Sequence, residues 1–486
     1  MRKTKIVATL GPASSTPEMI GELMDAGVSV IRLNFSHGTH EEHARNIAQI
    51  REMARVRDRM VPIMGDLQGP KIRVGKLEGD EPVEIERGAT LRLMQLPKPG
   101  NAQAVSVDYP HLAQDVGPGH RILIDDGAIE LKVASIDGHD VICDVIIGGV
   151  LKERKGVNVP GSALRMPSIT DKDKEDLKFA LAEKLDFIAL SFVRQAKDVQ
   201  MLKNIIEWAN GDTHVIAKLE KPQALEHLGE ILDVSDGVMV ARGDLGVELS
   251  PWQVPIAQKN IIREAAKFRK PVITATQMLQ SMIENASPTR AEASDVANAV
   301  FDGSDALMLS GETAVGKYPA ESVRMMSRII ETAEAEVAGL PFTLGRPEGD
   351  VVETSSAVAS AAAQLCERLG AKYLVVYTES GYTARLVSKH RPRGSILALS
   401  RHPAVCQRVK LLWGVRSKPV QEVNDIDQLV MVTESLLLQH GWVERGDVIC
   451  LIAGTPFEIA GKTDTIKLHK IGDAVTVTHR RSSTPN

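Results

Sequence analysis

The 486-residue sequence has few cysteines, no excess of positive charge and no hydrophobic run long enough to cross a membrane. Its four cysteines are far apart, which excludes a disulfide scaffold and a zinc site recognisable by spacing. The apolar run at residues 6–10 is too short for a secretory signal. A net charge of -5 argues against a nucleic-acid partner. We therefore expect a soluble, cytoplasmic protein with no membrane contact.

Length and composition are those of a multidomain globular protein. Hydrophobic residues make up 43% of the chain and charged residues 25%, which are ordinary values. A chain of 486 residues is too long for one hydrophobic core. We expect two to four domains.

Eight short apolar runs separated by helical patterns predict an α/β protein built on a (β/α)8 TIM barrel. The runs are residues 6–10, 30–35, 61–64, 187–192, 215–219, 238–241, 272–275 and 306–309. Active sites of such barrels lie at the carboxyl ends of the strands. The polar residues expected there are Arg32, Asn34, Ser36, Asp66, Ser191, Lys218, Glu220, Asp244, Thr276, Ser310 and Glu312.

Two further regions differ in pattern from the barrel. Residues 72–164 are rich in glycine and in alternating apolar residues, with a hairpin signal at Asp137-Gly138, and predict a small inserted β-barrel domain. After residue 340 the βαβα pattern returns and predicts a doubly wound α/β domain. The predicted domains are the barrel (1–69 and 166–340), the inserted β domain (70–165) and the C-terminal α/β domain (341–486).

Two successive strand ends carry the most informative residues, Lys218 with Glu220 and then Asp244. The lysine supplies positive charge where negative charge develops. Two carboxylates suit Mg²⁺, which takes one or two protein carboxylates and fills its other positions with water and substrate oxygens. A surface ion pair is the alternative for either segment alone, but their occurrence together favours a metal site.

The residues after Ala241 predict a second function at the same strand end. If a helix begins there, its free N–H groups form an anion site, and Gly243 lets a substrate carboxylate approach the backbone. Thr276 is placed to hydrogen-bond that carboxylate. Together with Ser310 and Glu312 it could order a proton relay. For Thr276 and Ser310, capping of the strand end is an equally simple interpretation.

The segment Thr378-Glu-Ser-Gly-Tyr-Thr383 follows a predicted strand and precedes a predicted helix. The hydroxyls of Thr378, Ser380 and Thr383, with the backbone at Gly381, would form a phosphate nest at the start of that helix. An ordinary capped turn is the alternative.

Seven motifs, in order along the chain, resemble the signature motifs of pyruvate kinases. They are residues 4–15, 32–38, 155–161, 218–220, 241–246, 275–279 and 309–313. The resemblance covers essentially the whole chain. It implies transfer of the phosphoryl group of phosphoenolpyruvate to ADP, giving pyruvate and ATP in the last step of glycolysis. It also implies an allosteric homotetramer.

The resemblance assigns roles to the strand-end residues. Lys218 would contact the phosphoryl group and then stabilise the enolate, while Arg73 and Lys155 would reach the nucleotide phosphates, with His37 nearby. Cations must surround the transferred group because phosphoryl transfer depends on positioning and charge neutralisation. The residues expected in catalysis or substrate binding are Arg32, Arg73, Lys218, Gly243, Asp244, Thr276, Ser310 and Glu312. Glu220 and Asp244 would hold Mg²⁺ or Mn²⁺, and a second Mg²⁺ would arrive with ADP.

The monovalent-cation site of the family is matched with one departure. Members that require K⁺ typically carry Thr, Lys and Glu where this chain has Leu67, Gln68 and Lys71. We expect the Lys71 ammonium to replace the ion, so that K⁺ is not required, unless Lys71 points to solvent at the hinge. The other residues that match the site are Asn34, Ser36 and Asp66.

In this family the loop that matches residues 378–383 receives phosphorylated effectors, and residues 454–465 resemble the loop that closes over them. Both loops depart from animal and yeast members, so a sugar monophosphate or AMP is expected rather than a bisphosphate. Two alternatives remain on sequence. One is a Mg²⁺-dependent lyase or dikinase-type barrel acting on phosphoenolpyruvate or pyruvate, which would lack the inserted domain with Arg73 and Lys155. The other is a catalytically silent sugar-phosphate sensor.

Overall fold

The computed structural model describes residues 2–162, 165–337, 353–457 and 461–474. It opens with the first part of a parallel barrel: β1 (Lys5–Thr9), α1 (Pro17–Ala26), β2 (Val30–Asn34), α2 (His40–Val56) and β3 (Ile63–Asp66). The third strand begins two residues later than predicted. Both helices are capped at their starts: Thr16 accepts a hydrogen bond from the Met19 N–H, and Thr39 forms a capping box with Glu42.

The segment that follows β3 forms a separate, mostly antiparallel sheet. Seven strands pair in the order β4-β12-β8-β9-β10-β6-β7, and β5 pairs with β11. A bridge between Val74 and Val107 joins the two edges, so the sheet closes on itself. The predicted hairpin joins β9 to β10 and places Gly138 at a φ of 62°. The elements are β4 (Ile72–Arg73), a 3₁₀ turn (Glu78–Asp80), β5 (Val83–Ile85), β6 (Thr90–Met94), β7 (Ala104–Ser106), α3 (Leu112–Asp115), β8 (Arg121–Ile124), β9 (Ile129–Asp137), β10 (Asp140–Ile147), β11 (Gly149–Leu151) and β12 (Gly156–Asn158).

The barrel then resumes and closes. Its strand order is β1-β17-β16-β15-β14-β13-β3-β2, all parallel, which confirms the predicted eight-stranded barrel. Its centre is packed with apolar side chains such as Val7, Met64, Ile216 and Met239. The elements are α4 (Asp171–Ala182), β13 (Phe187–Leu190), α5 (Ala196–Trp208), β14 (His214–Leu219), α6 (Pro222–Glu226), α7 (Leu228–Val234), β15 (Gly237–Ala241), α8 (Arg242–Glu248), α9 (Val254–Lys267), β16 (Val272–Ala275), a 3₁₀ turn (Gln280–Ile283), α10 (Arg290–Phe301), β17 (Ala306–Leu309), α11 (Gly311–Ala314) and α12 (Pro319–Val337).

The C-terminal region forms a five-stranded sheet in the order β20-β19-β18-β21-β22, with β22 antiparallel. The order reverses between β18 and β21, which is typical of a doubly wound domain. Strand β20 was not predicted, because its polar edge sequence carries two charges and ends at Pro419. The elements are α13 (Thr354–Leu369), β18 (Tyr373–Tyr377), α14 (Tyr382–Lys389), β19 (Ser395–Ser400), α15 (Pro403–Arg408), a 3₁₀ turn (Val409–Leu411), β20 (Val415–Pro419), α16 (Ile426–Gln439), β21 (Val448–Ala453) and β22 (Thr465–Lys470).

Two predicted features involve residues outside the described ranges. The boundary placed at 340/341 lies outside them altogether, and the loop predicted at 454–465 includes residues 458–460, which are also outside. In the ranges that are described, no helix combines the length and apolar character needed to span a membrane.

A buried ion pair joins the C-terminal domain to the amino-terminal end of the barrel. Lys389, at the end of α14, places its Nζ 2.6 Å from Oδ2 of Asp305, and the side chains are only 3% and 1% exposed. The same carboxylate oxygen accepts a hydrogen bond from the Val272 N–H at the start of β16. Burial lowers the pKa of Lys389, although Asp305 opposes that shift. The pair therefore depends on both charges being present.

We expect Asp305→Asn to destabilise the protein by about 3–5 kcal/mol, because it leaves the Lys389 ammonium buried without a counter-charge. Calorimetric unfolding measures the effect. The control is Glu52→Ala, which breaks an exposed ion pair with Arg55 and should leave the unfolding midpoint nearly unchanged. Adding Lys389→Met to Asp305→Asn should recover part of the loss. Equal unfolding midpoints for Asp305→Asn and Glu52→Ala would show that the pair does not stabilise the domain contact.

Candidate active site

Lys218, near the end of β14, lies at the centre of a polar cluster at the carboxyl end of the barrel. Its Nζ is 2.9 Å from Oε1 of Glu220 and 3.3 Å from Oδ1 of Asp66. It also donates to Oγ of Ser191 at 2.7 Å. Although burial acts in the opposite direction, Asp66 and Glu220 raise the pKa of Lys218 above its usual range. The ammonium is therefore a fixed positive charge at this end of the barrel.

Asp66, at the end of β3, links Lys218 to a second cation. Its Oδ2 accepts from Nε of Arg32 at 2.7 Å, and Nη1 of Arg32 donates to Oγ1 of Thr9 at 3.0 Å. Burial alone would raise the pKa of Asp66, but Lys218 and Arg32 hold it below its usual range. One buried carboxylate thus aligns two cations from different strands.

Glu220 and Asp244 form the predicted carboxylate pair. One oxygen of Glu220 faces Lys218 and the other accepts a hydrogen bond from the Phe192 N–H at 2.7 Å. Burial raises the pKa of Glu220 to about 7; Lys218 opposes the shift and the Asp244 carboxylate adds to it. A buried carboxylate repelled by a half-buried one suits a divalent cation. No group of three or more His, Cys, Asp or Glu side chains that could hold a metal occurs in the described residues, so substrate or water would complete the coordination.

The Thr276 loop is held in a strained conformation. Thr276 has a φ of 72°, which is unusual for a β-branched residue. Its hydroxyl accepts from the Gly243 N–H at 2.8 Å and donates to the Ala275 carbonyl at 2.6 Å. Arg242 donates to the carbonyls of Ala275 and Thr276 at 3.3 and 2.7 Å. The predicted anion-binding N–H and the predicted hydroxyl are therefore adjacent, and Arg242 fixes their positions.

Glu312 is brought to the site, but it bonds backbone groups. Its two oxygens accept from the N–H groups of Leu279 and Ser310 at 3.0 and 2.7 Å, and the residue is fully buried. It thereby ties the Thr276 loop to the end of β17. The Ser310 hydroxyl is buried and has no hydrogen-bond partner among the residues that the structure describes. That hydroxyl is free to bind substrate or water.

The remaining predicted residues lie beside this cluster or on the inserted domain. Arg73 donates from Nη1 to the Arg154 carbonyl at 3.2 Å, and Nζ of Lys155 lies 2.8 Å from Oδ1 of Asp125. Both cations therefore bond within the inserted domain. At the cluster, Asn34 accepts from the Ser36 N–H, Leu67 is buried, and His37 accepts through its carbonyl from His43.

Lys71 is not among the ion-pair partners of Asp66 in this structure. The Lys71 side chain packs closely over Gly156 of β12. A Cβ atom added at that glycine would lie only 2.8 Å from Cε of Lys71, so the lysine lies across the inserted sheet. The cations that face Asp66 are Arg32 and Lys218. The predicted role of Lys71 thus depends on a different position of its side chain.

The predicted effector residues surround the start of α14. Oγ1 of Thr378 accepts from the Gly381 N–H at 3.0 Å, and the hydroxyls of Thr383 and Thr463 lie 2.7 Å apart. Both threonines of the loop are buried, whereas Ser380 is exposed. Thr378 therefore closes the turn through the Gly381 N–H, while helix α14 itself starts without a side-chain cap.

Sequence reasoning missed several contacts that build the site. The sequence analysis included Arg242 only within the motif at residues 241–246. Its position next to Gly243, a glycine predicted to bind an anion, could have identified it as a residue of the site. Glu248 accepts from Nζ of Lys221 at 2.5 Å and from Nδ2 of Asn158 at 3.2 Å, which links the barrel to the inserted domain. No sequence pattern indicated that link, because its three residues are widely separated.

Comparison with known proteins identifies the family and the fold. Residues 1–323 match the family described as pyruvate kinase, barrel domain, and residues 356–469 match pyruvate kinase, alpha/beta domain. The chain belongs to the pyruvate kinase family. It is 44% identical over 479 residues to the pyruvate kinases of Staphylococcus aureus strains USA300 and bovine RF122, which covers 98% of this chain and 81% of each relative. The crystal structure of a pyruvate kinase from Cryptosporidium parvum superposes with a TM-score of 0.90 at 38% identity, over 97% of this chain and 96% of that one.

Membership of the family makes the chain a phosphotransferase whose substrates are phosphoenolpyruvate and ADP, and enzymes of this family generally need a divalent metal. The lyase and dikinase-type alternatives are therefore wrong.

We expect Lys218→Met to lower kcat by roughly 10²- to 10³-fold or more, because a preorganised positive charge is lost where negative charge develops. Lys174→Met removes an exposed lysine of α4 and is the control, with kcat unchanged. Circular dichroism establishes that both variants fold. A Lys218→Met enzyme with the kcat of the control would show that the cluster is not the catalytic centre.

Proposed function

We propose that the enzyme transfers the phosphoryl group of phosphoenolpyruvate to ADP at the cluster centred on Lys218. The observation that carries the proposal is the Lys218 ammonium, fixed between Asp66, Glu220 and Ser191 at the carboxyl end of the barrel. Phosphoryl transfer passes through a loose transition state, so positioned positive charge is the main catalytic requirement. Lys218 and Arg32 supply that charge from two strands.

Glu220 and Asp244 would hold a divalent cation, which we propose to be Mg²⁺, with Mn²⁺ as a substitute. The support is a carboxylate pair in which burial and mutual repulsion disfavour two unscreened negative charges. When bound, the cation would neutralise charge on the phosphoryl and carboxylate oxygens of the substrate. Glu220 is already oriented for this by the Phe192 N–H.

Lys218 would then stabilise the enolate that remains after transfer, and the enolate must be protonated at carbon. The Thr276 hydroxyl bonds the Gly243 N–H, where the substrate carboxylate is proposed to bind. The Ser310 hydroxyl is buried and has no hydrogen-bond partner among the described residues, which supports a role in ordering the proton donor. Glu312 acts as a positioning residue, since both its oxygens bond backbone groups.

Arg73, Lys155 and His37 would bind the nucleotide phosphates, and a second Mg²⁺ would arrive with ADP. Arg73 and Lys155 lie on the inserted domain, so a rotation of that domain would carry both cations toward the barrel and exclude water. Glu248 bonds Lys221 of the barrel and Asn158 of the inserted domain, so this contact would have to adjust during such a rotation.

The proposal extends to the domain organisation, the oligomeric state and the regulation of the enzyme. We infer domains at 1–69 and 166–340 (barrel), 70–165 (lid) and 341–486 (regulatory), a cytoplasmic homotetramer, and a phosphorylated allosteric effector bound at Thr378, Ser380, Gly381 and Thr383. The loop lies where the strand order reverses, beside the end of β18, which is where doubly wound domains bind ligands.

A coupled assay for pyruvate tests the proposed reaction. We expect product only when phosphoenolpyruvate, ADP and Mg²⁺ are all present. Glu220→Gln should raise the Mg²⁺ concentration for half-maximal rate, whereas Glu175→Gln, an exposed glutamate of α4, should not. Pyruvate formation without ADP, or equal Mg²⁺ requirements in the two variants, would contradict the proposed chemistry and metal site respectively.

We also propose full activity without K⁺. The support is the lysine at position 71 together with the two protein cations that already face Asp66. In a buffer whose only monovalent cation is tetramethylammonium, about 100 mM KCl should change kcat less than about twofold at matched ionic strength. Lys71→Glu should lose activity and recover part of it with K⁺. Lys76→Glu, at an exposed lysine of the same domain, is the control. A wild-type rate that rises about tenfold or more with K⁺ would overturn the proposal.

A further inference from the structure

A side-chain contact at the end of β12 bonds the inserted domain to the barrel. Nδ2 of Asn158, the last residue of that strand, donates to Oε1 of Glu248 at 3.2 Å. Nζ of Lys221 lies 2.5 Å from the same oxygen. The Lys221 and Glu248 side chains are 16% and 2% exposed, and Asn158 is buried. One shielded carboxylate oxygen thus bonds residues of both domains.

The three members of this contact are not equally easy to separate. Parting Lys221 from Glu248 would leave a shielded charge without its partner, which is costly. Asn158 is neutral, so it can leave the carboxylate without creating an unpaired charge. While it stays, the amide makes a charge-assisted hydrogen bond, which is stronger than a bond between neutral groups. The ion pair is therefore the fixed part of the contact, and the bond from Asn158 is the part that can open.

On the inserted domain, the contact holds the strand pair that carries the two cations proposed to bind nucleotide. Asn158 lies three residues after Lys155, and Gly156 of the same strand pairs with Arg73 of β4. In this orientation Arg73 bonds the Arg154 carbonyl and Lys155 pairs with Asp125. Both acceptors belong to the inserted domain. The contact thus holds an orientation, here called the resting orientation, in which both cations are engaged away from the barrel.

On the barrel, the contact is continuous with the proposed metal site. Glu248 is the last residue of α8, and the first turn of that helix carries Gly243 and Asp244. Lys221 directly follows Glu220 in the chain. Each member of the buried ion pair therefore belongs to a segment that also carries one of the two proposed metal carboxylates.

The ring of Phe192 links this ion pair to the other connection of the inserted domain. Nζ of Lys221 lies 5.6 Å from the centre of the ring, and the Phe192 N–H donates to Glu220. The ring packs over Gly69, where the chain leaves the barrel with a φ of 68°. A Cβ atom added at Gly69 would lie only 2.8 Å from Cδ2 of Phe192. Both connections of the inserted domain therefore meet side chains that are bonded to the metal-site segments.

We propose that Glu248 is a positioning residue: held by Lys221, it latches the inserted domain through Asn158 in the resting orientation. The inference rests on the nucleotide role proposed above for Arg73 and Lys155. A rotation that carries those cations to the barrel moves β12, so the bond from Asn158 has to lengthen or break. The latch therefore lowers the fraction of molecules in the binding orientation, and with it the apparent affinity for nucleotide.

Energy transfer between two dyes measures the orientation of the inserted domain without substrate. The four native cysteines are buried, so His139→Cys on the inserted domain and Lys174→Cys on α4 provide exposed labelling sites. We expect Asn158→Ala to shift and broaden the distribution of distances between the dyes. The matched control is Asn101→Ala, whose amide donates to Glu78 within the inserted domain. It should leave the distribution unchanged.

Calorimetric titration with ADP and Mg²⁺, without phosphoenolpyruvate, measures the consequence for binding. We expect Asn158→Ala to lower the Kd for ADP by about three- to tenfold, because the latch no longer opposes the rotation. General damage to the fold would raise that Kd instead. The double variant Asn158→Asp/Glu248→Gln exchanges the acid and the amide, and should return the distances and the Kd toward those of the wild type. Unfolding midpoints of all variants exclude loss of fold as the cause.

The two measurements separate the latch from the proposed nucleotide site. Equal distance distributions in Asn158→Ala and Asn101→Ala would overturn the latch. A higher Kd for ADP in Asn158→Ala would also overturn it, because the contact would then favour the binding orientation. An altered distribution with an unchanged Kd would support the latch and contradict the nucleotide role of Arg73 and Lys155.

Discussion

The buried ammonium of Lys218 is the constraint on which the active site depends. A lysine in this position requires negative partners, and Asp66 and Glu220 provide them from two other positions on the barrel rim. Each carboxylate then requires further donors, which are Arg32 for Asp66 and the Phe192 N–H for Glu220. Removing any member leaves a buried charge without compensation, so the cluster is fixed as a unit. This preorganisation is what phosphoryl transfer needs, because little covalent chemistry falls to the protein.

A second set of contacts keeps the neighbouring loop in an unfavourable conformation. Thr276 holds a positive φ, and such strain persists only where the surroundings enforce it. Arg242 bonds the carbonyls on both sides of the turn, while Glu312 bonds the N–H of Leu279 beyond it. Arg242 and Glu312 can therefore contribute to the site without contacting the substrate. Both hold the hydroxyl of Thr276 in its hydrogen bond with the Gly243 N–H, next to the proposed site of the substrate carboxylate.

The eight barrel strands could be predicted from the sequence because each is a short apolar run followed by polar residues. The same pattern of apolar runs predicted that Lys218, Glu220 and Asp244 lie at one end of the barrel. Strand β20 escaped because an edge strand with alternating charges has no apolar signature. The bonds from Glu312 to Leu279 and from Glu248 to Asn158 escaped for a different reason. Partner choice between distant segments is set by tertiary packing, and no local pattern encodes it.

The parallel barrel strands also explain how the candidate active site and the contact with the C-terminal domain come to lie at opposite ends of the barrel. Parallel strands give every strand a start on one face and a finish on the other, so β13 to β16 each meet the C-terminal domain and the catalytic rim. The buried pair of Lys389 and Asp305 secures that domain to the start of the neighbouring strand β17. Helix α14 begins after Gly381 and ends at Lys389, one partner of this ion pair. A shift of that helix would therefore act on the barrel through a buried, charge-matched contact, and interfaces of that kind change between discrete arrangements rather than deform gradually.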